Sequence, residues 1–138
     1  MTDGSPTAFV DANVFIPYLS GHDATLLARA ASVIETEEIR ILPIATILET
    51  AWVLRRHYRY QRQAIAAALH DLVVRSNVEV AELPTAAVLS MIGLWRDGRI
   101  GSIGDAIIAA SMETHQAARI FSFDRRFPRD FGWEVVVP

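Results

Sequence analysis

The chain has 138 residues, 51% of them hydrophobic, with a formal net charge of −3 and no cysteine. That length suits one domain, residues 1–138, with a real buried core, and the missing cysteine excludes disulfide frameworks and thiolate zinc sites. All 13 basic residues are arginine, so any chemistry that needs a lysine is excluded, and the negative balance argues against a general nucleic-acid binder.

In chain order, residues 1–6 mix Gly, Pro and small polar residues and are expected to be flexible. Ala8-Phe9-Val10 predicts a short buried strand ending at Asp11, with Asn13 placed to cap a helix from about Val14 to the Ser20-Gly21 break. Apolar residues at helical spacing predict a helix from Ala24 to about Glu37. The β-branched run Ile39 to Ile44 predicts a second buried strand. Thr46 with Glu49 three residues on matches a capping box, opening a helix that carries Ile47, Leu48, Ala51, Trp52 and Leu54. A further helix is expected from Gln61 to Arg75, a small strand at Val78–Val80 and a helix from Thr85 to Arg96. After a glycine-rich stretch, Asp105 opens a last strong helix to about Gln116, and Arg119–Phe123 and Trp133–Val137 close as strands. Short buried strands alternating with helices imply an α/β fold with a mainly parallel central sheet, whose ligands bind at the carboxyl ends of the strands. No apolar run reaches the ~20 residues of a membrane span, and no basic-then-apolar leader opens the chain. A cytoplasmic protein is expected.

Of four candidate acids, three fall at predicted sheet-edge or helix-entry positions, where such a sheet presents its site. Asp11 follows the first strand, Glu49 lies on a helix rich in apolar neighbours, Asp105 opens a helix, and Asp124 follows Ile120-Phe121-Ser122-Phe123. Each has an ordinary alternative role: helix cap for Asp11 and Asp105, capping-box partner for Glu49, turn residue for Asp124. Brought together, they would repel one another and hold protons unless a cation joined them. Hard divalent ions bind such oxygen ligands, Mg²⁺ using a few carboxylates plus water and substrate phosphate.

Phe9-Val-Asp-Ala-Asn-Val-Phe-Ile16, Ile44-Ala-Thr-Ile-Leu-Glu49, Gly104-Asp-Ala-Ile-Ile-Ala-Ala110 and Ile120-Phe-Ser-Phe-Asp-Arg-Arg-Phe127 follow in the order of a known pattern. The chain resembles a PIN-domain ribonuclease, specifically the VapC-type toxin of a type II toxin–antitoxin system, over almost its whole length. The resemblance implies a three-layer α/β/α fold and endoribonuclease activity dependent on Mg²⁺ or Mn²⁺. Asp11, Glu49, Asp105 and Asp124 would take the places of the acidic quartet, as catalytic and metal-binding residues. Asn13 would support the first acid, with a simple helix cap as its other role, and Ser122 would orient a carboxylate or a phosphate. It further implies an RNA substrate, a small antitoxin partner and a homodimer. A non-toxin PIN-type RNA-processing or DNA nuclease, or a non-catalytic binding module of the same fold, is the alternative.

Arginine suits phosphate contact because its planar fork donates two parallel hydrogen bonds. Arg125 and Arg126 follow Asp124 directly. Arg55 and Arg59, with Arg62, would share a face if their helix continues through them. The missing lysine sets aside haloacid-type phosphatases, receiver domains and P-loop proteins. Gly98, Gly101 and Gly104 do not form G-x-G-x-x-G, and the four histidines are scattered.

Overall fold

The computed structural model describes residues 7–129 and 131–138, so the start expected to be flexible, 1–6, lies outside the described residues. In chain order the elements are β1 (Ala8–Val10), α1 (Ala12–Ser20), α2 (Ala24–Ile34), β2 (Arg40–Pro43), α3 (Ile44–Arg56), α4 (Arg62–Val73), β3 (Val78–Ala81), α5 (Thr85–Arg96), α6 (Ile103–Thr114), β4 (Arg119–Phe121) and β5 (Glu134–Val136). The strands form one sheet in the order β3-β2-β1-β4-β5. Every neighbouring pair is parallel, so the sheet is wholly rather than mainly parallel.

Strand side chains alternate between two cores, as a period of two requires. Phe9 and Ile120 enter the layer built on Met91 of α5 and Ala106, Ile108 and Met112 of α6. Val10 and Leu42 enter the opposite layer, with Val14 and Phe15 of α1, Val33 and Ile34 of α2 and Leu72 of α4. The sheet is therefore sandwiched between helices, a three-layer α/β/α arrangement. The chain steps outward from β1 to β2 to β3, then returns through α5 and α6 to β4 on the other side of β1. Strand order thus reverses between β1 and β4, and the crevice at their carboxyl ends is where open α/β sheets bind ligands.

Three helix starts differ from expectation, and each difference bears on the site. Helix α1 begins at Ala12 with Asp11 as its cap, so Asn13 is left for other work. Helix α3 begins at Ile44, directly after Pro43, whose fixed φ and missing N–H suit the edge of a helix. Thr46 is therefore not a cap; it is buried inside the helix, its hydroxyl without a hydrogen-bond partner among the described residues. No capping box forms, and Glu49 is released from it. Helix α6 is capped by Ser102, which places Asp105 within the first turn rather than at its opening.

Helix α3 also turns its apolar residues differently. Its buried positions are Thr46, Thr50 and Leu54, while Leu48 and Trp52 are 68% and 62% exposed. The helix ends at Arg56, and Arg59 takes a left-handed backbone at φ 61° in the turn before α4. Arg55, Arg59 and Arg62 consequently do not share one helix. No helix among the described residues is long and apolar enough to cross a membrane.

Candidate active site

Asp11 sits in the crevice between β1 and β4, where its two oxygens face different partners. Oδ1 accepts from the backbone N of Ala12 at 2.7 Å, capping α1. Oδ2 accepts from the Ser122 hydroxyl at 2.8 Å. Ser122, fully buried one residue past β4, accepts in turn from the backbone N of Asp124 at 3.0 Å and from Asn13 Nδ2 at 3.1 Å. Asn13 Oδ1 accepts from the backbone N of Phe123 at 2.9 Å. Asn13 is thus a brace between α1 and the segment after β4, and Ser122 is the node that fixes Asp11 relative to Asp124.

The other acids reach the crevice from separate elements. Asp105 lies in the first turn of α6, where the positive end of the helix favours an anion. Asp124 Oδ1 accepts from the backbone N of Arg126 at 2.8 Å, a turn of the kind short acidic side chains make, and pairs with Arg126 Nε at 3.4 Å. Gly101, Ser102, Asp105, Asp124 and Arg126 line a cavity of about 270 Å³. Glu49 approaches the same helix start from α3. A Cβ added at Gly104 would lie 3.9 Å from Glu49 Oε2, so the missing side chain there leaves Glu49 room beside Asp105.

The electrostatics tie the acids together. Burial pushes the Asp11 carboxyl up to about 7, the Ser122 hydrogen bond opposes this, and Asp105 and Glu49 add repulsion. Asp105 is raised to about 6 by burial first, then by Asp124 and Glu49, with Arg126 opposing. Although much of the Glu49 side chain is exposed, loss of water around its carboxyl raises it too. Among the described residues, no three acidic or histidine side chains already stand at the spacing of a full metal-ligand set.

The candidate arginines divide into two places. Arg126 lines the acidic cavity, and exposed Arg125 adjoins it, its carbonyl accepting from Arg129 Nε at 2.9 Å. Arg55 and Arg59 stand apart, at the far end of α3, where Arg55 Nη1 donates to the Tyr60 carbonyl at 3.1 Å. The residue missed in the sequence is Ser102. Its hydroxyl accepts from the backbone N of Asp105 at 3.3 Å and sets where α6 starts. The signal was present as Ser102-Ile-Gly-Asp105, a capping-box spacing.

The family model of the PIN domain matches residues 8–130. The chain belongs to the PIN domain family. Solved structures give the same fold. A Mycobacterium tuberculosis chain, VapC20, described as a sarcin–ricin loop cleaving toxin, aligns with a TM-score of 0.72 at 21% identity, over 87% of this chain and 92% of that one. A chain of VapBC2 from Rickettsia felis, bound to a DNA fragment from its promoter, aligns at TM-score 0.67 and 11% identity, over 94% and 97% of the two chains. A chain of FitAcB from Neisseria gonorrhoeae aligns at TM-score 0.59 and 16% identity, over 93% and 95%. No curated protein sequence matches this PIN domain. The donor set of its crevice, carboxylate oxygens with raised pKa values, is of the type hard divalent cations take, with water and phosphate oxygens completing a shell.

Proposed function

We propose that this PIN domain is a metal-dependent endoribonuclease that acts as the toxin of a toxin–antitoxin pair in the cytoplasm. The observation that carries the reading is the mutual repulsion that links Asp11 with Asp105 and Glu49, and Asp105 with Asp124, near the sheet's switch point, with Asp11, Asp105 and Glu49 held above their ordinary pKa values. The toxin assignment draws support from the structural neighbours, a sarcin–ricin loop cleaving toxin among them. Complexes such as VapBC2 and FitAcB support a protein partner. Exposed Leu89, Ile92 and Trp95 on α5 support a protein contact as well, whether with an antitoxin or within a homodimer.

Asp11 and Asp105 would hold the principal Mg²⁺ or Mn²⁺, with Glu49 and Asp124 completing its surroundings. When bound, the ion supplies an activated water and neutralises charge on the phosphate. The chain's own part is placement. Ser122 fixes the Asp11 carboxylate, Asn13 fixes the Ser122 segment, and Ser102 anchors the α6 turn that presents Asp105. Arg126, directed at Asp124, and neighbouring Arg125 supply positive charge beside the acidic crevice for RNA phosphates.

Titrating Mn²⁺ into the protein by calorimetry tests the site. Binding should weaken by about tenfold or more in Asp105→Asn; equal affinity in that variant would remove Asp105 from the ligands. Neutralising Arg125 and Arg126 together should weaken RNA binding and lower the log–log salt slope by about 0.7 for each phosphate that is no longer neutralised. An unchanged slope would take both arginines out of the RNA interface.

A further inference from the structure

A surface beyond the acidic crevice gathers arginines and rings that the proposed reaction leaves without a role. From Thr50 to His70 the sequence carries four arginines and no acidic residue. In the turn after α3, the Tyr58 ring stacks on His22 with centroids 4.8 Å apart, and His57 meets Tyr58 edge-on at 5.0 Å. Tyr60 donates its hydroxyl to the Ser20 carbonyl at 3.1 Å, joining this turn to the end of α1. Asp23, the neighbouring acid, is engaged in capping α2 through Leu26 N at 3.0 Å.

The arginines that flank this turn, Arg55, Arg56 and Arg62, are joined to the neighbourhood of Glu49 through Trp52. That side chain lies three residues beyond Glu49, on the same face of α3. It lines a cavity of about 500 Å³ that includes Glu49, and another of about 590 Å³ edged by Arg55, Arg56 and Arg62. The Arg56 guanidinium stands 5.8 Å from the Trp52 ring centroid. From Glu49 to Arg56 the helix rises ~10 Å, a distance that a few nucleotides of extended strand span.

A simple latch between two turns accounts for the ring packing. It does not account for four arginines in a stretch without acids, nor for exposed Arg59 in a left-handed backbone, a conformation that favours glycine. We propose that Trp52, Arg55, Arg56, Tyr58 and Arg59 form a track for single-stranded RNA leading away from the cut. Rings and guanidinium planes take bases by stacking, while the charges meet phosphates; this mode of holding single strands tolerates any base. The inference rests on the ribonuclease reading and adds to it a second place where substrate is held.

The test is fluorescence anisotropy with a labelled, unstructured RNA oligonucleotide, in Mg²⁺ and in an Asp11→Asn background so that the strand stays intact. Arg59→Gly suits the left-handed backbone, so its thermal stability should match or exceed the parent's while its RNA affinity falls several-fold. Its log–log salt slope should drop by about 0.7. Trp52→Ala, at an exposed position, should weaken binding by roughly tenfold. RNA affinity equal to the parent's in both variants would overturn the track and leave the ribonuclease reading standing. Failure of the unmodified protein to bind or cut RNA would remove both.

Discussion

Replacing Asp11 by Asn is expected to abolish RNA cleavage, by about a thousandfold or more, while making the metal-free protein more stable at neutral pH. The two effects share one cause. Asp11 is buried among other acids, and its carboxyl is raised from 3.8 to about 7. A group whose folded pKa lies above its unfolded one contributes stability that is fully present below the unfolded value and lost as pH rises through the folded value. The metal-free protein should therefore lose stability between about pH 4 and about pH 7. The full shift corresponds to at most about 4 kcal/mol; with water entering the pocket, about 2 kcal/mol is the expected loss. An amide at this position removes the buried charge and can still accept from the Ala12 backbone. Thermal unfolding in chelator, across that pH range, should show a flatter profile for Asp11→Asn and a midpoint several degrees higher at pH 7.5. A lower midpoint at every pH would mean that Asp11 serves the fold rather than the chemistry.

The second large effect is expected from Ser122→Ala. This one hydroxyl donates to Asp11 and accepts from the Asp124 backbone and the Asn13 amide. Its removal leaves buried groups unpaired, at a cost of about 2 kcal/mol, and deprives Asp11 of the hydrogen bond that lowers its pKa. Cleavage should fall by about 10–100-fold, as expected when a residue orienting a ligand is removed. A structural defect alone would lower activity equally at every pH. A positioning role predicts that Mn²⁺ affinity of the variant recovers only at higher pH than in the parent. Superimposable affinity–pH curves would reduce Ser122 to a packing residue.

The strands that lead to Asp11 and Asp124 were legible because each depends on a local signal: a short, mostly apolar run, then a carboxylate. The fold class followed from the same alternation. What stayed hidden depended on partners far away in sequence. Asn13 meets Ser122 and Phe123 across 109 and 110 positions, and no local rule separates such a brace from a helix cap. Thr46 and Glu49 have capping-box spacing, yet Pro43 lets the helix start earlier and buries Thr46. Periodicity marks Leu48 and Trp52 as apolar but not whether anything covers them; α3 sits at the margin of both cores, and they face outward. The continuous helix through Arg55, Arg59 and Arg62 failed because no glycine or proline flags the break, which comes after Arg56 and leaves Arg59 in a left-handed turn.

The most direct test of the four-carboxylate site as an RNA-cleaving centre is incubation of the purified, partner-free protein with total cellular RNA and Mg²⁺ or Mn²⁺, cut ends being mapped by sequencing. Discrete cuts that vanish in chelator and in Asp11→Asn are the predicted result. Intact RNA in both metals with folded protein, or cuts that survive in Asp11→Asn, would contradict it.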